Sequence, residues 1–483
     1  MGQPIQSIVV RGLHRGMADS SVLADSMMPP EQMRLIQNFD TDTIGQLRRR
    51  KGLTRLGSAA VIADNTILGL HHHIGTNSQI IACVNEVTDA TCEAYYLSGT
   101  TWTIRALTFA ANTKVRMASF LDYVFAVNGT TSPASWTGAA AVAWGTTNLT
   151  SAPTGSLIEV YKQQLFIGSE STDQINFSSV PSAGAITWTA ADNFLLNPND
   201  GSKLRAMKTY GQELLLFKDK YLYRFNARAV DADPLIFFGA PSQEAVAVAS
   251  GICWFYDANR QGLYGYSGGY PDWISKPVDS FFKAVPTSSK TSVTLSGSTN
   301  HVEAHLGDLT VDGITFTNTS CRYNISTQTW VIRNYSKEFR IFAPYDDGTS
   351  LFVLGGTTDG HVVKMETGND DMGTAIDYQL ETAWLTIGND PTVEFTLASF
   401  AAFVENSSGN MEAQYRTENN SVWLSIGSCK HYATSWSGIN ARFHRIKFRF
   451  IGSSANDQVL FDGFSILAPL VEGVEKESMI FNP

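Results

Sequence analysis

The chain lacks helical periodicity, charge and long apolar runs, and each shortage excludes a class of protein. Across its 483 residues almost no window holds apolar side chains at helical spacing, which leaves an all-β chain. The exception is Pro30–Asn38, where Met33, Leu35 and Ile36 predict a short helix after Pro29-Pro30. No run approaches the length of a membrane-spanning helix. No basic-then-apolar opening predicts an export signal, and MGQPIQS misses the myristoylation pattern at Gln6. Charged residues make up only 17% and the net charge is −10, so the chain lacks the basic balance of a protein that grips nucleic acid. An acidic surface beside DNA stays compatible, because like charges repel.

Cysteine is scarce too. Cys83, Cys92, Cys253, Cys321 and Cys429 are odd in number and lack metal-ligand spacing. They read as reduced core residues of a chain made in the cytoplasm. Triplets such as Asn128-Gly-Thr then reflect Asn- and Thr-rich loops, with no glycan attached. No phosphate-binding loop, dinucleotide fingerprint or Gly-x-Ser-x-Gly elbow occurs. The expectation is a protein that is not an enzyme and holds no cofactor or metal.

What is present is a repeated strand-turn-strand unit. Glu213–Phe225 (ELLLFKDKYLYRF) shows it best: an apolar strand, a polar turn at Lys218-Asp219-Lys220, and a second strand at Tyr221–Phe225. Related units begin near Ile80, Tyr123, Gln164, Ile252, Cys321 and Leu351. Their spacing of roughly 40–55 residues is the blade period of a β-propeller, of six or seven blades. A single blade leaves its own faces bare, so the units must pack around an axis.

The two ends break this rhythm. Residues 1–57 form a polar, extended arm, residues 58–370 the propeller, residues 371–470 an antiparallel β-sandwich-like module, and residues 471–483 a tail. In the module, Arg442–Phe450 sets Phe443, Ile446, Phe448 and Phe450 against His444, Arg445, Lys447 and Arg449. Such alternation buries one face and leaves the other cationic, either as a solvated face or as a subunit interface. The strongest basic cluster is Arg48, Arg49, Arg50 and Lys51, either a solvated hairpin turn or a docking surface for an acidic partner. Pro286–Asn300 is long and low in charge, and its Thr287, Ser288, Ser289, Lys290 and Thr291 are candidates for a loop facing a channel or gate.

Asn38–Gly57, Leu214–Phe225, Pro271–Phe282 and the module at Ile376–Ile466 together resemble the tail hub, or nozzle, proteins of short-tailed bacteriophages. The likeness is to the packaged DNA stabilisation proteins and, more distantly, to the tail tubular B proteins. It covers most of the chain, without the long insertion that builds an extended nozzle tip. The resemblance implies a virion tail protein made in the host cytoplasm, forming a homo-hexamer below the portal and its head-to-tail adaptor. Such a ring closes the DNA exit, carries tail fibres, tailspikes or a needle, and conducts double-stranded DNA without sequence-specific contact. A ring of this kind closes through head-to-tail contacts between two different faces of each copy.

The alternative is a propeller lectin or glycan-processing protein. Tyr415–Trp423 resembles the aspartate box of sialidases but lacks its Asp and Gly, and no paired carboxylates stand on neighbouring strands. His71-His72-His73 is the metal candidate. On a strand His71 and His73 share one face, which gives two convergent imidazoles where a stable site wants more ligands. A core or tunnel-facing role is the simpler reading.

Overall fold

The computed structural model describes residues 5–471 except 14, 20–22, 25–26, 89, 199, 227–229, 232–236, 388–392, 406–410, 431–433 and 457. The tail at residues 472–483 lies outside them. The chain divides into two units, one of Lys51–Ile325 with Asn334–Met372, the other of Met1–Arg50, Ser326–Arg333 and Gly373–Pro483.

The first unit is a seven-bladed β-propeller. Its sheets begin with the strands Ile67–His73, Arg116–Phe120, Leu157–Tyr161, Leu204–Tyr210, Val246–Ala249, Thr294–Gly297 and Phe339–Asp346. Each of these first strands packs on the first strand of the next sheet, and the seventh returns to the first. The ring is therefore closed. Its last blade takes its outermost strand, Thr54–Arg55, from the start of the unit, pairing Thr54 with Lys364 and Arg55 with Val363. Leu53 plugs this seam among Tyr335, Phe339, Val363 and Met365. At Gly52 a Cβ would stand 1.8 Å from the Asp370 carbonyl, so only glycine passes there.

Alternating faces explain the stacking. In the first two blades, Ile81, Cys83 and Tyr96 meet Val124, Ala126 and Trp136 in one buried cluster. In the fourth and fifth, Leu215 and Phe217 meet Cys253, Phe255 and Tyr266. Each cluster draws on two neighbouring sheets, which is why one blade cannot stand alone. Leu214–Phe217 is fully buried, as the unbroken apolar run requires.

Lys218, expected in a polar turn, instead ends the strand Glu213–Lys218 and is fully buried. Its ammonium lies 2.9 Å from carboxylates of both Asp173 and Asp200 and donates to the Leu196 and Asn197 carbonyls. A buried cation needs such partners. All five cysteines are free and buried, and burial pushes the Cys92, Cys253 and Cys429 thiols up to about 12.

The second unit is a β-sandwich built from both ends of the chain. One sheet holds Ile5–Arg11, Phe39–Thr43, Gln46–Arg49, Phe395–Glu405, Thr434–Phe443 and Leu460–Pro469. Facing it are Met33–Gln37, Ile376–Thr382, Met411–Thr417, Leu424–Cys429 and Arg445–Ser454. Among the described residues pairing is antiparallel apart from parallel bridges between Gln37 and Ile332 and between Met17 and Met33. Phe400, Phe461 and Phe464 of one sheet meet Phe448 and Phe450 of the other, with ring centroids 4.5 to 6.0 Å apart. A register shift between Leu397 and Ser399 keeps Phe400 on the buried face.

Three expectations need correction. The helix at Pro30–Asn38 is the strand Met33–Gln37, because pairing with Ile376–Thr382 outweighs a weak local preference. The arm at residues 1–57 is not a separate piece: Met1–Arg50 belongs with the C-terminal strands and the rest closes the propeller. Pro286–Asn300 is not one long loop. It forms a 3-10 turn at Thr287–Ser292 and then Thr294–Gly297, the innermost strand of the sixth blade.

Candidate functional site

The propeller's seven first strands enclose an axial cavity of about 360 Å³, lined from every blade. Alternation sends every second side chain of each first strand toward the axis. His71 arrives from the first blade, Arg116 and Ser119 from the second, Glu159 from the third and Lys208 from the fourth, with Glu244 just ahead of the fifth. Blades one and two approach closely at Gly69, where a Cβ would lie 2.6 Å from the Val115 carbonyl.

The charges inside are matched. Arg116 Nε lies 2.8 Å from Glu244 Oε1, Lys114 Nζ 2.7 Å from Glu244 Oε2 and Arg116 Nη1 3.1 Å from Glu170. Burial alone would raise the Glu244 carboxyl, but Arg116 and Lys114 outweigh it and hold it far below the usual carboxylate range. Burial likewise lowers the Arg116 guanidinium, and Glu244 and Glu170 reverse the sign. Lys208 stands 3.8 Å from Glu159. The Gln243 amide accepts from the Met207 N–H and donates to the Met207 carbonyl, 2.8 and 2.6 Å away. This ion network spans the axis between the second and fifth blades.

His71 and His73 converge as their spacing requires. His71 Nε2 is 2.8 Å and His73 Nδ1 2.9 Å from the Ser119 hydroxyl oxygen. A single hydroxyl between two imidazoles donates to one and accepts from the other. Burial, followed by the neighbouring His73, His72 and Lys208, lowers His71 to about 3, so the imidazole is neutral at physiological pH. His72 points away and packs edge-on against Tyr345. Among the described residues no group of three or more His, Cys, Asp or Glu is placed to hold a metal. The cavity can shelter water or a small polar molecule, while its cations are already occupied by carboxylates.

The basic cluster falls into two parts. Arg49 and Arg50 are fully buried in the sandwich, Arg49 donating to the Ser454 carbonyl at 2.9 Å and Arg50 to Asn38 Oδ1 at 2.8 Å. They join strands of distant sequence and cannot meet a partner's surface. Arg48 and Lys51 are exposed, with Arg48 donating to Gln458. Thr287, Ser288 and Thr291 are exposed as well. Ser289 lines a second cavity of about 310 Å³ with Pro286, Ser292, His305, Lys337 and Arg340, and Lys290 is half-buried. Tyr415–Trp423 lies in the sandwich and not in the propeller. Sequence reasoning missed Arg116 and Glu244, because two single residues 128 positions apart give no local signal.

No protein-family model and no curated protein matches the chain. Among solved structures it is similar to Sqt1 of Saccharomyces cerevisiae at TM-score 0.39 and 10% identity, over 66% of this chain and 99% of that one. It is also similar to YCF48 bound to D1 peptide, at TM-score 0.40 and 12% identity, over 66% of this chain and 95% of the other. Neither likeness bears on any residue of the cavity. The chain is a β-propeller protein with an added β-sandwich.

Proposed function

We propose that the protein is a structural tail-hub component of a short-tailed bacteriophage. It assembles as a ring of six copies beneath the portal and adaptor, retains packaged DNA, carries fibres or spikes and conducts the DNA on ejection. One observation carries this reading. The segment that bears the resemblance, Asn38–Gly57, runs through both units: Phe39–Thr43 and Gln46–Arg49 pair inside the sandwich, and Thr54–Arg55 locks the propeller ring. A segment used this way serves mechanical closure rather than chemistry.

The axial cavity supports the same view. A volume of about 360 Å³ has room for water or a small polar molecule and not for a DNA duplex. Duplex therefore passes through the hole of the assembled ring and not along the axis of any one propeller. A net charge of −10 on each copy suits a hole through which DNA slides without adhering.

Arg48→Glu with Lys51→Glu tests the docking part of the proposal, since both side chains are exposed. Negative-stain imaging of the wild-type chain with the portal and adaptor should show rings of six, and the double variant should fail to attach while its circular dichroism stays unchanged. Attachment of the variant at wild-type levels removes the docking assignment. A wild-type chain that forms no ring with the adaptor and instead binds or cleaves a glycan overturns the hub reading.

A further inference from the structure

Lys218 is crowded beyond what a buried ion pair requires. An ammonium carries three hydrogens, and all three are taken, by the Leu196 carbonyl at 3.0 Å, the Asn197 carbonyl at 3.1 Å and Asp200 Oδ1 at 2.9 Å. Asp173 Oδ1 nevertheless stands 2.9 Å from the same nitrogen. That oxygen is buried and accepts no hydrogen bond among the described residues. The nitrogen and the Asp173 carboxyl group therefore touch without hydrogen-bonding. Contact of this kind places an amine against a carboxyl carbon.

The two carboxylates are held in different ways. Asp200 is fixed on both oxygens: Oδ1 also accepts from the Ser202 N–H at 2.9 Å, and Oδ2 from the Tyr223 hydroxyl at 3.0 Å. The Asn197 amide donates to that hydroxyl in turn, at 3.2 Å. Asp200 is thus positioned to take a proton from Lys218 and hand it on. Asp173 lies in the turn between the third blade's strands Gln164–Gly168 and Gln174–Phe177. Its side chain is 19% exposed while that of Lys218 is fully buried, so the pair has one edge open to solvent. Leu204, opposite Lys218 on the neighbouring strand, and Leu196 are fully buried beside it. Such surroundings keep bulk water from the nitrogen.

We propose that Lys218 Nζ condenses with the Asp173 carboxyl group to form an intramolecular amide, with Asp200 as the proton carrier. Asp200 takes a proton from the ammonium, and the freed lone pair attacks Asp173 Cγ. The Nζ–Cγ bond forms and one Cγ–O bond breaks. The departing oxygen leaves as water, carrying two protons that began on the nitrogen, one of them relayed by Asp200. Asp200 ends as it started, and no oxidant, reductant or further reactant is needed. Well-oriented contact gives one group an effective concentration of about 10⁵–10⁸ M at the other, and the amide replaces two buried charges with a neutral group. The released water escapes past the exposed edge of Asp173. The bond joins the third blade to the end of the strand Glu213–Lys218 in the fourth, a joint otherwise held by packing. This modification goes beyond the hub reading and does not depend on it.

Mass spectrometry of the full chain, aged in the folded state and then denatured, tests this. Wild type should weigh one water less than its sequence. A tryptic digest should contain a branched species joining residues 163–203 to residues 209–220, with no cleavage after Lys218 and with fragment ions that place the branch at Asp173. Asp173→Ala and Lys218→Met should keep the full mass. Asp200→Asn preserves the shape of the side chain and removes the proton acceptor, so with circular dichroism unchanged it should lose water at least about a hundredfold more slowly than wild type. A simple ion pair predicts the full mass for all four proteins. Wild type that retains its full mass overturns the proposal whatever the variants do. Water lost within residues 163–203 alone, where Asp200 precedes Gly201 and can close to a cyclic imide, also overturns it, as does a branch at Asp200. An Asp200→Asn chain that loses water at the wild-type rate overturns the role given to Asp200.

Discussion

The propeller and the sandwich join distant stretches of chain in opposite ways. The propeller divides its core into small clusters, each shared by two neighbouring blades, and ties the axis with ions: Arg116, Lys114 and Glu244. The sandwich gathers Phe400, Phe448, Phe450, Phe461 and Phe464 into one aromatic layer. Its ions sit instead at the seams between chain segments, where Arg49, Arg50 and Arg333 are all fully buried. Arg333 meets Asp40, and Arg50 meets Asn38. A ring of repeated units tolerates local damage because each joint is only one of seven. A single layer concentrates its stability in a few side chains.

The contrast can be tested at its strongest point first. Phe450→Ala removes a fully buried ring that touches Phe400, Phe461 and Phe464. It should cost about 3–5 kcal/mol, as large aromatic truncations in cores do. Urea denaturation followed by tryptophan fluorescence measures this, and a loss near 1 kcal/mol would show that the sandwich repacks as readily as a blade joint.

Glu244→Gln comes next. It leaves Arg116, only 7% exposed, with Glu170 as its remaining carboxylate. Breaking a buried pair by removing one partner costs about 3–5 kcal/mol, and the Glu170 contact brings the expected loss to about 3 kcal/mol. Calorimetry reads it directly. Stability equal to wild type would mean that water in the axial cavity solvates Arg116, and that the axis is not tied by ions.

Legibility in the sequence followed the same division. The propeller was readable because its signal is local and repeated: Leu214–Phe217 announces a buried strand without reference to any other residue. The sandwich module was readable from the alternation around Arg442–Phe450, although that stretch is split at His444 between the strands Thr434–Phe443 and Arg445–Ser454. What escaped were features made only by long-range pairing. Met33–Gln37 looks helical until Ile376–Thr382 lies beside it, and Thr54–Arg55 is too short to read as a strand at all. Arg49 and Arg50 read as a surface cluster because consecutive cations usually are one, yet Arg49 ends the strand Gln46–Arg49, Arg50 follows it, and the partners that meet them inside are 405 and 12 positions away. At the axis, His71 and His73 were placed on one face by their spacing, whereas Ser119 between them belongs to another blade.

The smallest expected effect concerns that pair. His71 has its pKa lowered from 6.5 to about 3, by burial first and by His73, His72 and Lys208 after it. In the unfolded chain it takes up a proton near pH 6.5, and in the fold it does not until near pH 3. The unfolded state therefore binds more protons through this window, so stability contributed by the neutral imidazole is present above pH 6.5 and is lost as pH falls toward 3. The side chain faces the axial cavity and is partly open to it, which calls for a discount on the full linkage slope of about 1.4 kcal/mol per pH unit. Between about pH 7 and about pH 5, wild type should lose about 1 kcal/mol more than His71→Gln. His72, His73 and His361 are lowered in the same direction and are common to both proteins, so the difference isolates His71. Parallel urea midpoints for the two proteins across that range would mean that the imidazole charges inside the fold, and that the cavity is wet enough to solvate an imidazolium beside Lys208.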